Sequence, residues 1–403
     1  MSPVATNTPR LPDGFSVEVI DSPFRQPSRL TATDWNPLLA LEPDANPFMR
    51  YEYLAALELS GSATARTGWQ AHAISVWQSD QLLAACMVYV KPHSYGEYVF
   101  DFAWAQAYEQ HGLSYYPKAV VAVPFTPVPG PRLLARTPEA RAALIEATVE
   151  WCQAQKLSSL HLLFASSTDQ GCCAKAHLMA RHTVQFHWQN GALPYSDFDA
   201  FLATLSQDKR KKIRQERRKV AEAGVTFRHA QGRDISAHDW DFFYQCYERT
   251  YLEHGNAPYL TRDFFQRMAQ TMPQNWLLFV AERGGNPIAS SLIAIHEDRI
   301  SGKLAFGRYW GALERVDCLH FEACYYQPLA WCIANGYQRF EGGAQGEHKM
   351  ARALLPVKTS SAHWLAHPAF ADAVERFLER EGSGIQNYLD QLQARTPSKQ
   401  GEA

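Results

Sequence analysis

The hydrophobic and polar positions of the chain form two successive series of elements. In the first series, FSVEVI (15–20) alternates like a half-buried strand, and a helix is predicted over 48–60. AISVWQ (73–78) and LLAACMVYVK (82–91) predict a hairpin, followed by a long irregular stretch from 93 to 134. Thr137-Pro138-Glu139 is a helix start, with Thr as N-cap and Pro as first helical residue. Two strands, 157–165 and 184–190, complete the series.

The second series repeats this order. It opens with the basic segment KRKKIRQERRKV (209–220) and a strand after Gly224, and helices are predicted at 237–253 and 261–272. Three strands separated by turns (276–283, 287–297 and 303–311) predict an antiparallel meander. A helix from 319 ends at the C-cap signal Asn335-Gly336, and a strand follows at 337–343. The repeat predicts two mixed α/β (α+β) domains, 1–190 and 191–385, and a polar C-terminal tail, 386–403.

Composition narrows the functional classes. The chain has 403 residues, is 46% hydrophobic and has a net charge of -2, so no global attraction to polyanions is expected. The eight cysteines form no CxxC pair, and no HExxH, Walker or Rossmann pattern occurs. The longest apolar runs are far shorter than a membrane span of ~20 residues, and the N-terminus does not resemble a secretion signal. A soluble cytoplasmic protein without a metal, an integral membrane segment or DNA as a partner is expected.

Three stretches carry a family resemblance. LSQDKRKKIRQERRKVAEAGV (205–225), FGRYWGALERVDCLHFEACYYQPLAWCIANGYQRFEGG (306–343) and AQGEHKMARALLPV (344–357) resemble, in order, segments of FemAB-like aminoacyl- and acyltransferases. HSYGEYVFDFAWAQAY (93–108), VPFTPVPGPRLL (123–134), FHWQN (186–190) and FEGGAQGEHKMARALLPV (340–357) are similar to a bacterial subgroup associated with peptidoglycan biosynthesis or recognition. The resemblance covers about 15–381. It implies a tandem of GNAT (acyl-CoA N-acyltransferase-like) domains.

The resemblance also implies an activity. It is that of an N-acyltransferase, which moves an acyl or aminoacyl group from a thioester or tRNA donor onto an amine of a small molecule or peptide. GNAT enzymes that use acyl-CoA hold its pyrophosphate on a loop of the form Arg/Gln-x-x-Gly-x-Gly/Ala at a helix N-terminus. The corresponding places here, ALERVDC (312–318) and VPGPRLLARTPEA (128–140), lack that pattern. The donor therefore stays open between acyl-CoA and aminoacyl-tRNA, with no tightly bound cofactor. The alternative function is a non-catalytic recognition module for a peptidoglycan-type or phosphate-bearing ligand.

The stretch FEGGAQGEHKMAR (340–352) concentrates groups that acyl transfer needs, namely a base and donors for a developing oxyanion. We predict a catalytic set of Glu341, Glu347 and Lys349. The alternatives are a charged surface loop and a purely structural pair of Glu347 with Lys349. Arg308 lies in an apolar strand and needs an anion, either substrate or one of these glutamates. Around this set, the predicted substrate-binding residues of the second domain are Arg308, Tyr309, His320, Glu322, Gln345, His348 and Arg352.

Several of these residues have a simpler explanation. The helix dipole alone accounts for Glu322 in a first turn, and His320 is equally interpretable as structural. A cysteine nucleophile, Cys324 with His320 at i, i+4, is a further hypothesis. In the first domain, Tyr95 and Asp101 belong to a polar and aromatic run that is predicted either to wall an acceptor pocket or to pack against the other domain.

The basic segment has eight Lys or Arg in twelve residues, interrupted by one acid, Glu216. Like charges at i, i+4 are mildly destabilising, so a purely solvated face is a poor explanation. The helix is predicted to bind a polyphosphate partner, either tRNA or a pyrophosphate-linked precursor, through Lys209, Arg210, Arg214 and Arg217. The alternative is contact with an acidic partner or domain surface.

Overall fold

The computed structural model describes residues 14–26, 28–191, 193–343 and 346–395. The first half consists of the following elements: β1 (Phe15–Asp21), α1 (Ala32–Leu39), α2 (Tyr51–Leu59), β2 (Gln70–Gln78), β3 (Gln81–Lys91), α3 (Phe102–Gln110), β4 (Lys118–Val121), β5 (Leu134–Ala135), α4 (Pro138–Ala154), β6 (Ser159–Leu162), α5 (Ser167–Lys175) and β7 (Met179–Gln189). The predicted helix start is present, since the Thr137 side chain accepts a hydrogen bond from the Ala140 N–H and Pro138 is the first helical residue.

After two additional helices, the second half repeats the order of one strand, two helices, three strands, a helical segment and two strands, without the α3, β5 and α5 of the first half, and it ends in a long helix. Its elements are α6 (Phe198–Thr204), α7 (Gln207–Glu222), β8 (Val225–Gln231), α8 (Ala237–Glu253), α9 (Arg262–Thr271), β9 (Trp276–Arg283), β10 (Asn286–Asp298), β11 (Gly302–Ala312), α10 (Leu319–Phe321), a π-helical segment (Glu322–Tyr326), α11 (Gln327–Ala334), β12 (Arg339–Glu341), β13 (Leu355–Leu365) and α12 (Pro368–Ala394). No helix within the described ranges is long and apolar enough to cross a membrane.

Both halves share one 13-stranded sheet. Its order is β1-β2-β3-β4-β6-β13-β7-β12-β11-β10-β9-β8, with β5 paired to β3. The last strand of each half lies in the other half: β7 pairs with β12, and β13 pairs with β6. The predicted domain boundary between residues 190 and 191 separates the two halves along the chain. In the fold, however, the exchange of β7 and β13 joins the two halves through continuous backbone hydrogen bonds.

Each half contains one parallel strand pair, and this pair positions the site. β4 pairs with β6 in the first half and β11 with β12 in the second, while the neighbouring strands are antiparallel. Beyond the paired residue Glu341, β12 ends while β11 continues to Ala312. The register between β10 and β11 shifts at Leu292/Ile293, which leaves Arg308 as the extra residue of a bulge.

The helices cover both faces of the sheet. One large core joins α1 and α2 of the first half to α8 and α9 of the second, so Phe48 and Tyr53 pack edge-on against Phe306 and Phe264. Separate cores lie under α4 and α5 and under α6, α7 and α11. The loops of the first half are thereby brought against the diverging strands of the second.

Helices α1 and α5 are absent from the sequence predictions, and two further differences have a clear tertiary cause. The stretch predicted as irregular contains α3, whose Trp104 and Tyr108 pack in a small core with Leu365 and Val374. Helix α12 continues through Ala394, so residues 386–394 of the predicted polar tail are helical. The reason is tertiary burial, because Leu392 is buried in the core under α6, α7 and α11.

Candidate functional site

A cavity of about 190 Å³ opens where β11 and β12 diverge. The second half contributes one edge of β11, the glycines after β12 and aromatic residues of α8, and the first half contributes two loops. The described residues that line it are Tyr98, Phe125, Pro127, Tyr247, Tyr251, Leu260, Gly307, Arg308, Tyr309, Gly342 and Gly343. The cavity is therefore built by both halves, and its walls are mainly aromatic.

Arg308 is the only charged side chain among those lining residues. Its Nη2 donates a hydrogen bond to the Phe125 carbonyl oxygen at 3.0 Å, and its guanidinium lies 5.3 Å from the Phe48 ring centroid. Its Nε is buried without a hydrogen-bond partner, and it forms no ion pair with a described residue. A shielded cation without a counter-ion is costly, and an anion that enters the cavity would relieve that cost.

Two residues of the first half face the cavity in a strained backbone conformation. Tyr98 has φ of +62° and Phe125 has φ of +58°, values that bulky L-residues adopt rarely and at a cost of about 1–3 kcal/mol each. Phe125 is held by stacking on Tyr259, with ring centroids 4.7 Å apart and planes 8° from parallel. Strain of this kind persists where surrounding contacts enforce it, and it clusters at functional sites.

Glu341, the last residue of β12, is a buried carboxylate that is 3% exposed. Its Oε1 lies 3.1 Å from Arg339 Nη2, while its Oε2 has no hydrogen-bond partner and lies 3.7 Å from His187 Nε2. Burial raises the pKa of Glu341 to about 7, and the charges of Arg339 and Arg308 oppose that rise. A carboxyl whose pKa is near 7 can both accept and return a proton at physiological pH.

Lys349 lies on the other side of the glycines. It is 4% exposed, its Nζ donates to the Gly343 carbonyl at 2.8 Å, and it forms no ion pair with a described residue. Burial lowers the pKa of Lys349 to about 8. A Cβ on Gly342 would lie 2.4 Å from Leu354 Cδ2 and 3.4 Å from Lys349 Cδ, so any larger residue there would require the Leu354 side chain to move.

An imidazole and phenol cluster surrounds Lys349. The His320 ring packs edge-on against Trp310 at 5.4 Å and Tyr325 at 5.8 Å, and burial lowers the pKa of His320 to about 4. His320 is therefore neutral at pH 7. Loss of solvent contact raises the pKa of Cys324 to about 12, which leaves little thiolate for the predicted cysteine nucleophile.

Other predicted residues are engaged in contacts within the protein. Arg352 donates to Glu216 at 3.1 Å and stacks 3.4 Å from the Phe321 ring centroid. Glu347 is exposed and accepts a hydrogen bond from Tyr388 of α12. Tyr309 lines the cavity and shares a 3.3 Å hydrogen bond with Tyr53. His348 is also exposed, and its pKa is lowered by burial and by the neighbouring cations.

The two halves differ at the places that correspond to a pyrophosphate loop. In the first half, Asp169 is fully buried and accepts from the N–H groups of Arg132 at 2.5 Å and Leu133 at 3.4 Å. Glu42 accepts from the Ala135 N–H at 3.1 Å, and Arg141 pairs with both carboxylates. Carboxylates of the protein thus occupy the anion position beside the start of α4.

The gap between the strands is also closed in the first half. Gly130 and Ala165 form a parallel bridge beyond β4 and β6. The buried Arg132 guanidinium donates to the carbonyl oxygens of Leu163 and Val128. In the second half, the N–H groups of residues 314–318 donate to no protein group among the described residues. The open cleft is therefore the one in the second half.

Asp101 of the first half belongs to a buried ion network away from this cavity. Lys118 Nζ donates to Glu97 at 2.8 Å and also to Asp101, which accepts a 2.6 Å hydrogen bond from Tyr115. Burial raises the pKa of Glu97 to about 7. The substrate-binding role of Asp101 stays a prediction, and its Oδ1 is buried without a hydrogen-bond partner among the described residues. Tyr95 is 65% exposed and is not among the described lining residues, and Gln345 lies outside the described residues.

The basic helix α7 buries Ile213 and Val220, as its pattern predicts, together with Glu216. Much of its charge is engaged locally: Arg217 pairs with Glu322 at 3.1 Å, and Arg210 donates to the Ala203 and Leu205 carbonyls. Arg214 lies 3.6 Å from Asp199 with both side chains exposed, and Lys209 forms no ion pair with a described residue. A groove of about 550 Å³ beside α7 is lined by Arg214, Arg217 and Arg218, but also by Asp199 and Glu322. Phosphate binding by this helix stays a prediction.

The sequence patterns did not identify the first-half cavity wall. Tyr98 lies within the polar and aromatic run that is predicted to wall an acceptor pocket, but no pattern singles it out. Phe125 and Pro127 lie in a stretch that carries the family resemblance, and the prolines clustered around Phe125 are the signal of a constrained loop. Tyr247 and Tyr251 follow helical spacing and were indistinguishable from core residues. Among the described residues, no group of three or more His, Cys, Asp or Glu side chains could hold a metal ion.

Comparison with known proteins adds a family and a fold. The FemAB-like family model, described as peptidoglycan biosynthesis/recognition, matches residues 26–400. The solved structure of FemX is similar, with 10% identity, a TM-score of 0.52 and coverage of 86% of this chain and 98% of that chain. L-PGS from Bacillus licheniformis is 12% identical, with a TM-score of 0.50 and coverage of 86% and 97%. No curated protein matches the chain in sequence. The predicted mixed α/β fold of tandem GNAT type is confirmed.

Proposed function

The chain belongs to the FemAB-like family, and from that premise we propose that it is an N-acyltransferase that moves an acyl or aminoacyl group onto an amine. The reaction takes place where β11 and β12 diverge in the second half. Glu341 is the observation that carries the proposal: a buried carboxylate with an unpartnered Oε2 and a pKa raised to about 7, directly before Gly342, which lines the cleft built by both halves.

Glu341 serves as the base. The amine nitrogen attacks the donor carbonyl carbon, a C–N bond forms, and the amine proton passes to the carboxylate directly or through one water molecule. The bond from the carbonyl carbon to the donor sulfur or ribose oxygen breaks, and that leaving atom takes up a proton. The unpartnered Oε2 is the acceptor position for the amine proton.

Lys349 stabilises the negative charge that develops on the donor carbonyl oxygen. Its pKa of about 8 keeps the ammonium form in excess at pH 7, and the Gly343 carbonyl holds the group in place. A preorganised cation in a water-poor site stabilises an oxyanion more strongly than water does. Glu347, the second predicted carboxylate, is exposed and bonded to Tyr388, so the base role is assigned to Glu341.

The donor enters from the side of α10, where the N–H groups of residues 314–318 have no protein acceptor in the described part of the chain. Both an acyl-CoA and an aminoacyl-tRNA carry phosphates that suit those N–H groups and the cations of α7. The first half acts as a wall of the acceptor side, because Asp169 and Glu42 fill its own anion position. A peptide of the peptidoglycan-precursor type is the acceptor class that the family suggests.

Native mass spectrometry with a panel of acyl-CoAs and charged tRNAs tests the proposal. The wild-type chain should bind one donor class and release an acylated amine, while Glu341→Gln should bind the donor and transfer the group at least ~100-fold more slowly. Glu347→Gln is the matched control, since it makes the same change on an exposed carboxylate, and its rate should stay within about threefold of wild type. Binding of neither donor class would favour a recognition module and overturn the transferase.

A further inference from the structure

We propose that the aromatic cavity between the halves binds a carboxylate group of the amine acceptor, so that the acceptor is a free amino acid or a short peptide that carries both a free amine and a free terminal carboxylate. This inference rests on the proposed function, because it assumes that the second-half cleft receives an acceptor. It adds the substrate class that Arg308 and its surroundings recognise.

The unneutralised guanidinium of Arg308 is the first support. Its hydrogen-bond partners among the described residues, the Phe125 carbonyl and the Tyr309 side chain, are both uncharged, and its Nε is buried without a partner. No acidic residue is among the described residues that line the cavity. A carboxylate supplies both the negative charge and two oxygens in one plane, which match the planar fork of a guanidinium.

Cavity size and wall chemistry limit what accompanies the carboxylate. A volume of about 190 Å³ is below the ~300–1,000 Å³ typical of sites for drug-sized ligands, so the cavity holds a small molecule or the end of a larger one. The rings of Tyr98, Phe125, Tyr247 and Tyr251 surround this volume, together with Leu260. Phosphate sites instead use several cations or a row of backbone N–H groups, and the described wall has one cation.

The position of Glu341 relates this subsite to the amine. Arg308 is close enough for its charge to oppose the rise in the pKa of Glu341, so the two groups share one electrostatic environment. A molecule that places its carboxylate on Arg308 and its amine at Glu341 is a compact amino acid or a short peptide end. The strained backbones of Tyr98 and Phe125 face this same volume, which is the expected cost of holding a recognition wall in place.

The test compares free acids with their amides. Isothermal titration calorimetry at pH 7.5 measures binding of L-alanine, D-alanine and D-alanyl-D-alanine to the full chain, each beside its C-terminal amide. We expect at least one free acid to bind about tenfold or more tightly than its amide, because the amide leaves the Arg308 charge unpaired. Arg308→Gln should reduce that ratio to within about twofold, whereas Arg308→Lys, which keeps the charge without the fork, should give an intermediate ratio. Arg267→Gln, a change at a surface ion pair, should leave the ratio as in wild type.

The outcomes separate this inference from the proposed function. Equal binding of every acid and amide, or binding of neither, overturns the carboxylate subsite, as does competition by inorganic phosphate at lower concentration than acetate. Acyl transfer to acids and amides at equal rates keeps the transferase and also overturns the subsite. A carboxylate preference that depends on Arg308 in a chain with no transfer activity keeps the subsite and overturns the transferase. Far-UV circular dichroism checks that each variant is folded, and Arg308→Lys supplies the comparison where Arg308→Gln is not.

Discussion

Replacing Glu341 by glutamine removes a carboxyl that the fold buries at the end of β12, with almost no change in side-chain volume. Burial raises the pKa of Glu341 from its ordinary value of 4.5 to about 7. Between these two values the folded chain binds more protons at this residue than the unfolded chain does. The free energy of unfolding of the wild type therefore falls as the pH rises through that window. At about 1.4 kcal/mol per pH unit, the full effect is about 3 kcal/mol.

The glutamine variant lacks this dependence. The free energy of unfolding of Glu341→Gln, minus that of the wild type, should therefore increase by about 2–3 kcal/mol between pH 5 and pH 8. Titratable groups elsewhere contribute equally to both proteins and cancel in the difference. Urea unfolding followed by tryptophan fluorescence at both pH values measures it, with Glu347→Gln as the control that should show no such change.

Turnover supplies the second half of this test. If Glu341→Gln is more stable than the wild type at pH 8 and also transfers the acyl group about 100-fold or more slowly, then the burial of Glu341 costs stability and serves the reaction. A stability difference that is the same at pH 5 and pH 8 would refute the raised pKa. Unchanged turnover in Glu341→Gln would refute the base role whatever the stability shows.

Three further predictions concern the neighbouring groups. The rate of transfer should follow a bell-shaped pH profile with apparent pKa values near 7 and 8. The first is for loss of the proton of the Glu341 carboxyl and the second for loss of the proton of the Lys349 ammonium. Lys349→Met should abolish the alkaline limb, and a profile unchanged in that variant would contradict the role of Lys349. Gly342→Ala places a Cβ 2.4 Å from Leu354 Cδ2, so it should lower turnover and should also lower the free energy of unfolding by about 1–3 kcal/mol. Gly382→Ala, whose added Cβ meets no atom within 4 Å, should be neutral or slightly stabilising. Equal melting temperatures for the two variants would argue against a tight fit at Gly342. Lys118→Met leaves the Asp101 carboxylate buried without its cation, so chemical unfolding should show a loss of about 3–5 kcal/mol in the free energy of unfolding. A change in acceptor KM without loss of stability would instead favour the predicted substrate role of Asp101.

Local patterns were sufficient where a contact lies within a few residues along the chain. The cap at Thr137, the meander β9–β11 and the apolar stripe of α7 are all set by spacings of two to four residues, and the structure has them as expected. Helix α3 could not be recognised in this way. Its short polar and aromatic sequence is stabilised by Leu365 and Val374, which are more than 250 residues distant in the chain.

The charge patterns indicated which types of residue occur in these segments but not which residues they contact. The segment 340–352 contains Glu341 and Lys349 as expected, yet only burial distinguishes these two from the exposed Glu347. In α7, the single acid Glu216 proves to be the buried anchor of Arg352 and Tyr326, and Arg217 is paired with Glu322. Fewer cations of α7 are available to a ligand than its sequence suggests, because the sequence does not reveal which acidic residues pair with them in the folded protein.

Most of the order of elements, the duplication of a mixed α/β unit and the segments that carry the family resemblance can be recognised in the chain, because each depends on local periodicity or on contiguous motifs. Three features become visible only in the folded protein: β7 and β13 are exchanged between the halves, Asp169 fills the anion position of the first half, and Phe125 contacts Arg308. These contacts join residues far apart in the chain, and they follow from strand pairing and the burial of whole layers rather than from any local spacing.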